Sequence, residues 1–138
     1  MSSNDCLVAP IRDAERRYVG GVQIDVAQTG IGRVKRVIYP PGFRWSTHMK
    51  PVVGTDLCMH AHVGFLARGQ IHVDYQDGCT LDLVAPRIVA VEPGHDAWVV
   101  GEQSAVFIEF DFEAETVRRL GMPELHSHTA THQTSFKR

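Results

Sequence analysis

The chain has 138 residues, 43% hydrophobic and 22% charged, the size and balance of one globular domain that closes its core without disulfide or metal staples. Lys and Arg number 14 against 16 Asp and Glu, a net charge of -2, so there is no broad cationic surface for nucleic acid. No apolar run reaches the roughly 18 residues of a membrane helix and the opening lacks the basic and apolar segments of a secretion signal; the expectation is a soluble cytoplasmic protein with no membrane partner.

Cys6, Cys58 and Cys79 form an odd set without paired spacing, which points to reduced thiols rather than a disulfide framework. The unusual count is eight histidines. His126, His128 and His132 fall in a polar tail at irregular spacing, leaving His48, His60, His62, His72 and His95 in the body.

Taken in order, residues 1–17 mix charge and small apolar groups without a period and read as an arm that packs loosely or pairs with a sheet edge. Val22, Ile24 and Val26 then alternate with polar residues, and a β-rich run with Val34, Val37 and Ile38 follows the turn at Thr29-Gly30. Pro40-Pro41-Gly42 breaks that run. Residues 43–50 read as extended, 51–55 as a loop and 57–67 as a further strand. Residues 70–75 alternate cleanly, Gln76-Asp77-Gly78 signals a hairpin, and 80–84 return along it. Strands are also expected over 86–91, 97–100 and 105–112. Only 113–120 reads as helix, with Glu113 and Glu115 at its start, Arg118 and Arg119 at its end and Gly121 as its stop.

Short strands joined by turns predict an all-β barrel or sandwich spanning 18–121, with a short C-terminal helix and a polar tail over 122–138 that is disordered or docks on a partner. The stretch from Gly42 to Gly69 stands out within it, because imidazole, thiol and amine groups are poor core filler unless each finds a partner.

In that stretch Gly42 is followed by five residues, then His48-Met49-Lys50, a long gap, His62, six residues and Gly69. The spacing resembles the first motif of the cupin superfamily, with Lys50 where that family has its second histidine and His62 where it has glutamate. Residues 86–94 resemble the second motif, with Glu92-Pro93-Gly94 for Pro-x-Gly. Ala97 falls at the position of the last family histidine and His95 two residues earlier, on the same face of an extended segment. The resemblance implies a jelly-roll cupin β-barrel with its site in the mouth, and a homodimer.

His48 and His62 occupy family ligand positions, and His60 or His95 can complete a set for a divalent transition metal, Zn, Fe, Ni or Mn. Such a centre would serve a small organic, acidic ligand in dioxygenase or isomerase chemistry. The alternative is a metal-free binding or sensory module in which Lys50 and the histidines form an anion pocket; a lysine that reaches solvent or pairs with Asp56, Asp96 or Glu92 is the plainer role. Cys58 can ligate as thiolate but reads as apolar filler. Trp45 and Trp98 can stack on a ligand or close the barrel ends, Glu92 and Asp96 read as turn caps, and His72 lies on the outer face.

Overall fold

The structure is a computed structural model and describes residues 5–127. Among the described residues nine strands run β1 (Glu15–Val19), β2 (Val22–Thr29), β3 (Gly32–Tyr39), β4 (His62–Arg68), β5 (Gln70–Tyr75), β6 (Thr80–Val84), β7 (Arg87–Val91), β8 (His95–Val99) and β9 (Ala105–Asp111). A six-stranded sheet has the order β1-β2-β3-β9-β4-β7 and a three-stranded sheet the order β6-β5-β8, all pairs antiparallel.

Alternation explains how the two sheets meet. Val22, Val37, Leu66, Val91 and Phe107 from the larger sheet and Val73, Tyr75, Leu83 and Val99 from the smaller are buried in one cluster, so the barrel is two sheets packed face to face rather than one closed ladder. No helix among the described residues is long and apolar enough to cross a membrane.

The arm pairs with an edge: Glu15–Val19 runs antiparallel to β2. The segment before it is tied to the sheet through Arg36, which donates to the carbonyls of Cys6 and Ala9 and pairs with buried Asp25 at 2.7 Å. Arg68 and Asp5 form a second tie.

Three expectations are corrected. Residues 43–50 are not a strand and the loop expected over 51–55 is helical as far as Val53; the chain forms two short helices, α1 (Trp45–His48) and α2 (Lys50–Val53). Asp96 accepts from the Ser46 N–H and pairs with Arg44, holding the start of α1, and Gly54 stops α2 with φ 90. The strand expected over 57–67 begins only at His62, and Cys58 makes a lone bridge to His95 on β8. At the other end Glu113–Glu115 forms a 3-10 turn leading into α3 (Thr116–Leu120), stopped by Gly121 as expected.

β4 and β9 approach closely because Gly64 carries no side chain. It lies opposite Glu109, and a Cβ there would fall 1.8 Å from the Ile108 carbonyl oxygen. That contact is with backbone inside the ladder and has no flexible end to yield. Gly64→Ala is therefore expected to destabilise the fold by more than the ~1–3 kcal/mol of ordinary overpacking; urea denaturation reads the change, and an unaltered midpoint would contradict the assigned β4–β9 register.

Candidate metal centre in the barrel mouth

Alternation in β9 puts Glu109 and Asp111 on the same face as Ala105 and Phe107, inside the protein. Glu109 is 1% exposed, and a carboxylate so deep needs compensation. Lys35 on β3 supplies it, with Nζ 2.7 Å from Glu109 Oε2 and 2.7 Å from Asp111 Oδ2. Arg33 adds a two-pronged pair to Asp111 at 2.7 and 2.9 Å. The remaining Glu109 oxygen accepts from His62 Nδ1 at 2.5 Å.

That bond fixes the His62 ring. A carboxylate can only accept, so Nδ1 carries a proton and Nε2 points onward, 3.6 Å from Cys58 Sγ. His95 is held the same way: its Nδ1 donates to the Glu92 carbonyl at 2.8 Å, so Nε2 is the nitrogen left for a further partner. Sγ of Cys58 and one nitrogen from each of His62 and His95 lie within 4.8 Å of one another. The Cys58–His95 backbone bridge, with Cys58 N donating to His95 O at 2.8 Å, brings thiol and imidazole together.

The electrostatics follow from these contacts. Burial opposes charge on His62, but the Glu109 carboxylate and the Cys58 sulfur outweigh it and His62 is pushed up to about 10. Burial likewise opposes the Cys58 thiolate, yet bonds from His62 and His95 hold it well below the usual thiol value. Glu109 is kept well below the carboxylate range, against desolvation, chiefly by the His62 charge.

His60 lies against the two carboxylates. Its Nε2 is buried, 3.4 Å from Asp111 Oδ2 and 3.5 Å from Glu109 Oε2, without hydrogen-bond geometry to either. His60, His62 and Glu109 thus form a second set of nearby donors, sharing His62 with the first.

The site opens on two cavities. A small apolar one of about 50 Å³ has His62 and His95 on its wall among Phe43, Leu66, Trp98 and Phe107. A larger open one of about 450 Å³ is lined by Trp45, Cys58, His60, His62 and Glu109. Trp98 and Trp45 therefore border different cavities. His48 and Lys50 border neither: His48 is exposed at the end of α1 and its ring stacks on Phe43, and Lys50 lies 3.6 Å from exposed Asp56. The helical folding of 43–53, in place of a strand, carries both away.

Glu109, Asp111 and Lys35 lie outside the motifs that mark the site in the sequence, and Cys58 is buried in the core cluster, as filler would be, while its Sγ also lies near His62 and His95. The available signal was two carboxylates in phase with Ala105 and Phe107.

The comparisons agree with this architecture. A cupin-like protein from Thermotoga maritima superposes with TM-score 0.51 at 16% identity, over 78% of this chain and 77% of that one. A cupin 2 conserved barrel domain protein from Salinispora arenicola gives 0.54 at 14%, over 83% and 94%, and a cupin-2 domain protein from Rhodospirillum rubrum 0.52 at 13%, over 73% and 70%. No family model and no curated protein matches the sequence. The chain has the cupin fold.

Outside the mouth, His72 on β5 lies between Asp82 at 2.8 Å and Asp74 at 2.7 Å, with its ring 4.5 Å from that of Trp98. The bond to Asp82, helped by Asp74, raises its pKa above the ordinary value. A raised folded-state value stabilises fully below the unfolded value of ~6.5 and is lost as pH rises through the folded one. His72→Gln should thus cost ~1 kcal/mol or less near pH ~6 and progressively less in alkali; a deficit in thermal midpoint that does not change with pH would contradict the pairing.

Proposed function

We propose that this protein is a small-molecule-binding cupin that holds one divalent transition metal with Cys58, His62 and His95. The observation that carries the reading is the convergence of one thiolate and two imidazoles whose Nδ1 atoms are already engaged, by Glu109 and by the Glu92 carbonyl. Metal-bound histidines are commonly oriented by such partners. The donors favour Zn, Fe or Ni over Mn, because thiolate is a soft ligand and Mn prefers oxygen.

When bound, the metal supplies Lewis acidity toward an oxygen of the ligand, chemistry that serves oxygenases and isomerases alike. The chain's own residues do the rest. Glu109 fixes the His62 ring, Lys35 and Arg33 hold the carboxylates in place, and Trp45 and His60 border the larger cavity, through which a small organic ligand reaches the centre. The alternative anion pocket built on Lys50 draws no support from a lysine paired with Asp56 outside both cavities. A reducing, cytoplasmic setting suits Cys6, Cys58 and Cys79, none of which is disulfide-bonded.

Protein purified without a histidine tag is expected to carry about one metal equivalent more than the Cys58→Ala/His62→Ala variant, by elemental analysis. Equal metal in the two samples would remove the reading.

A homodimer is the assembly we favour, with the outer face of the six-stranded sheet as its contact. Phe65 lies opposite Ile88 there, Ile88 is 81% exposed, and Phe110 on β9 is exposed beside them. Light scattering should give the dimer mass for the wild type and the monomer mass for Ile88→Arg; an unchanged mass in the variant would exclude this face.

A further inference from the structure

Away from the mouth, the chain after α3 returns to the β5–β6 hairpin. Leu125 packs against Gly94, and the His126 N–H donates to the Pro93 carbonyl at 3.0 Å. His126 is 3% exposed, and its ring stacks on Tyr75 with centroids 3.5 Å apart and planes at 15°. A tail histidine this deeply placed is unusual for a residue type that gains little from burial alone.

We infer that Asp77, Cys79 and His126 form a second metal site, which clasps the C-terminal segment to the hairpin. Their ligand atoms lie within 4.8 Å of one another. His126 Nδ1 donates to Glu92 Oε1 at 2.7 Å; with Nδ1 so engaged, Nε2 is the ring nitrogen that a neutral imidazole would offer to a metal, and it lies 3.7 Å from Asp77 Oδ2. That gap is longer than a hydrogen bond and close to the ~3.3–3.5 Å that separates ligands around a tetrahedral ion with bonds of ~2.0–2.3 Å. Asp77 Oδ1 accepts the Cys79 N–H at 3.0 Å, which fixes the hairpin tip between the two side chains. One thiolate, one imidazole and one carboxylate form a mixed set that suits Zn²⁺.

The clasp and the mouth share one residue. The Glu92 carboxylate orients His126 while its carbonyl orients His95, and Tyr75 touches both rings. Metal held at the clasp would therefore brace the strand that carries His95. The site itself depends on none of Cys58, His62 or His95.

Cobalt(II) is the probe, because a thiolate ligand gives it a charge-transfer absorption. Added to the Cys58→Ser variant, which keeps the Glu109–His62 pair and lacks the mouth thiol, it should produce that absorption and saturate at about one equivalent. Cys79→Ser in the same background should abolish it, and Asp77→Asn should weaken binding by at least the roughly tenfold typical of a lost supporting group. In the otherwise wild-type chain, where the barrel is untouched, Cys79→Ser should lower bound zinc by about one equivalent. Absence of the absorption in the Cys58→Ser background, its survival there after Cys79→Ser, or unchanged zinc in the Cys79→Ser single variant would overturn the clasp. Failure of the mouth centre shows separately, as equal metal in wild type and the Cys58→Ala/His62→Ala variant.

Discussion

The arrangement of the mouth depends on one buried carboxylate. Glu109 sits in the middle of the six-stranded sheet with almost no solvent contact, and it is tolerable there because Lys35 and His62 each take one of its oxygens. The pairings fix three elements at once: β9 carries the carboxylate, β3 the ammonium and β4 the imidazole. Removing any partner would leave a charge in a place with little water, which makes the cluster structural as well as chemical.

From that anchor the chemistry extends by short steps. Glu109 orients the His62 ring, His62 faces Cys58, and the Cys58–His95 backbone bridge carries the array across to the smaller sheet. Gly64 is what lets β4 lie close enough to β9 for the first step. The result is a polar wall between a small apolar cavity and a larger open one. His62 and His95 are held on strands of two different sheets, which keeps donors in place better than a loop does, and the lone bridge ties Cys58 to His95.

Much of the scaffold was legible in the sequence, and the reasons differ by element. The hairpin of β5 and β6 follows from strict alternation flanking Gln76-Asp77-Gly78, and its strand bounds agree with the structure at residues 70–75 and 80–84. The helix before Gly121 was readable from its charge order. Residues 43–53 were not, since two four-residue helices are too short to show a period. His48 and Lys50 consequently lie outside the mouth, where motif spacing alone had set them. The chain becomes regular only at His62, so Cys58 and His60 reach the larger cavity from irregular backbone ahead of β4, which no strand period could place. Glu109 was hidden because 105–111 reads as an apolar strand, and a carboxylate in phase with Phe107 declares itself only when a partner such as Lys35 is brought near by a pairing distant in sequence.

The most direct test of a centre made from Cys58, His62 and His95 is X-ray absorption at the edge of the metal bound to the Cys79→Ser variant, in which the hairpin thiol cannot contribute. The account predicts one sulfur at about 2.3 Å and two imidazole nitrogens at about 2.0–2.1 Å if the metal is zinc, with the sulfur shell lost when Cys58→Ser is added. A first shell of nitrogen and oxygen alone, or a sulfur shell that survives Cys58→Ser, would contradict it.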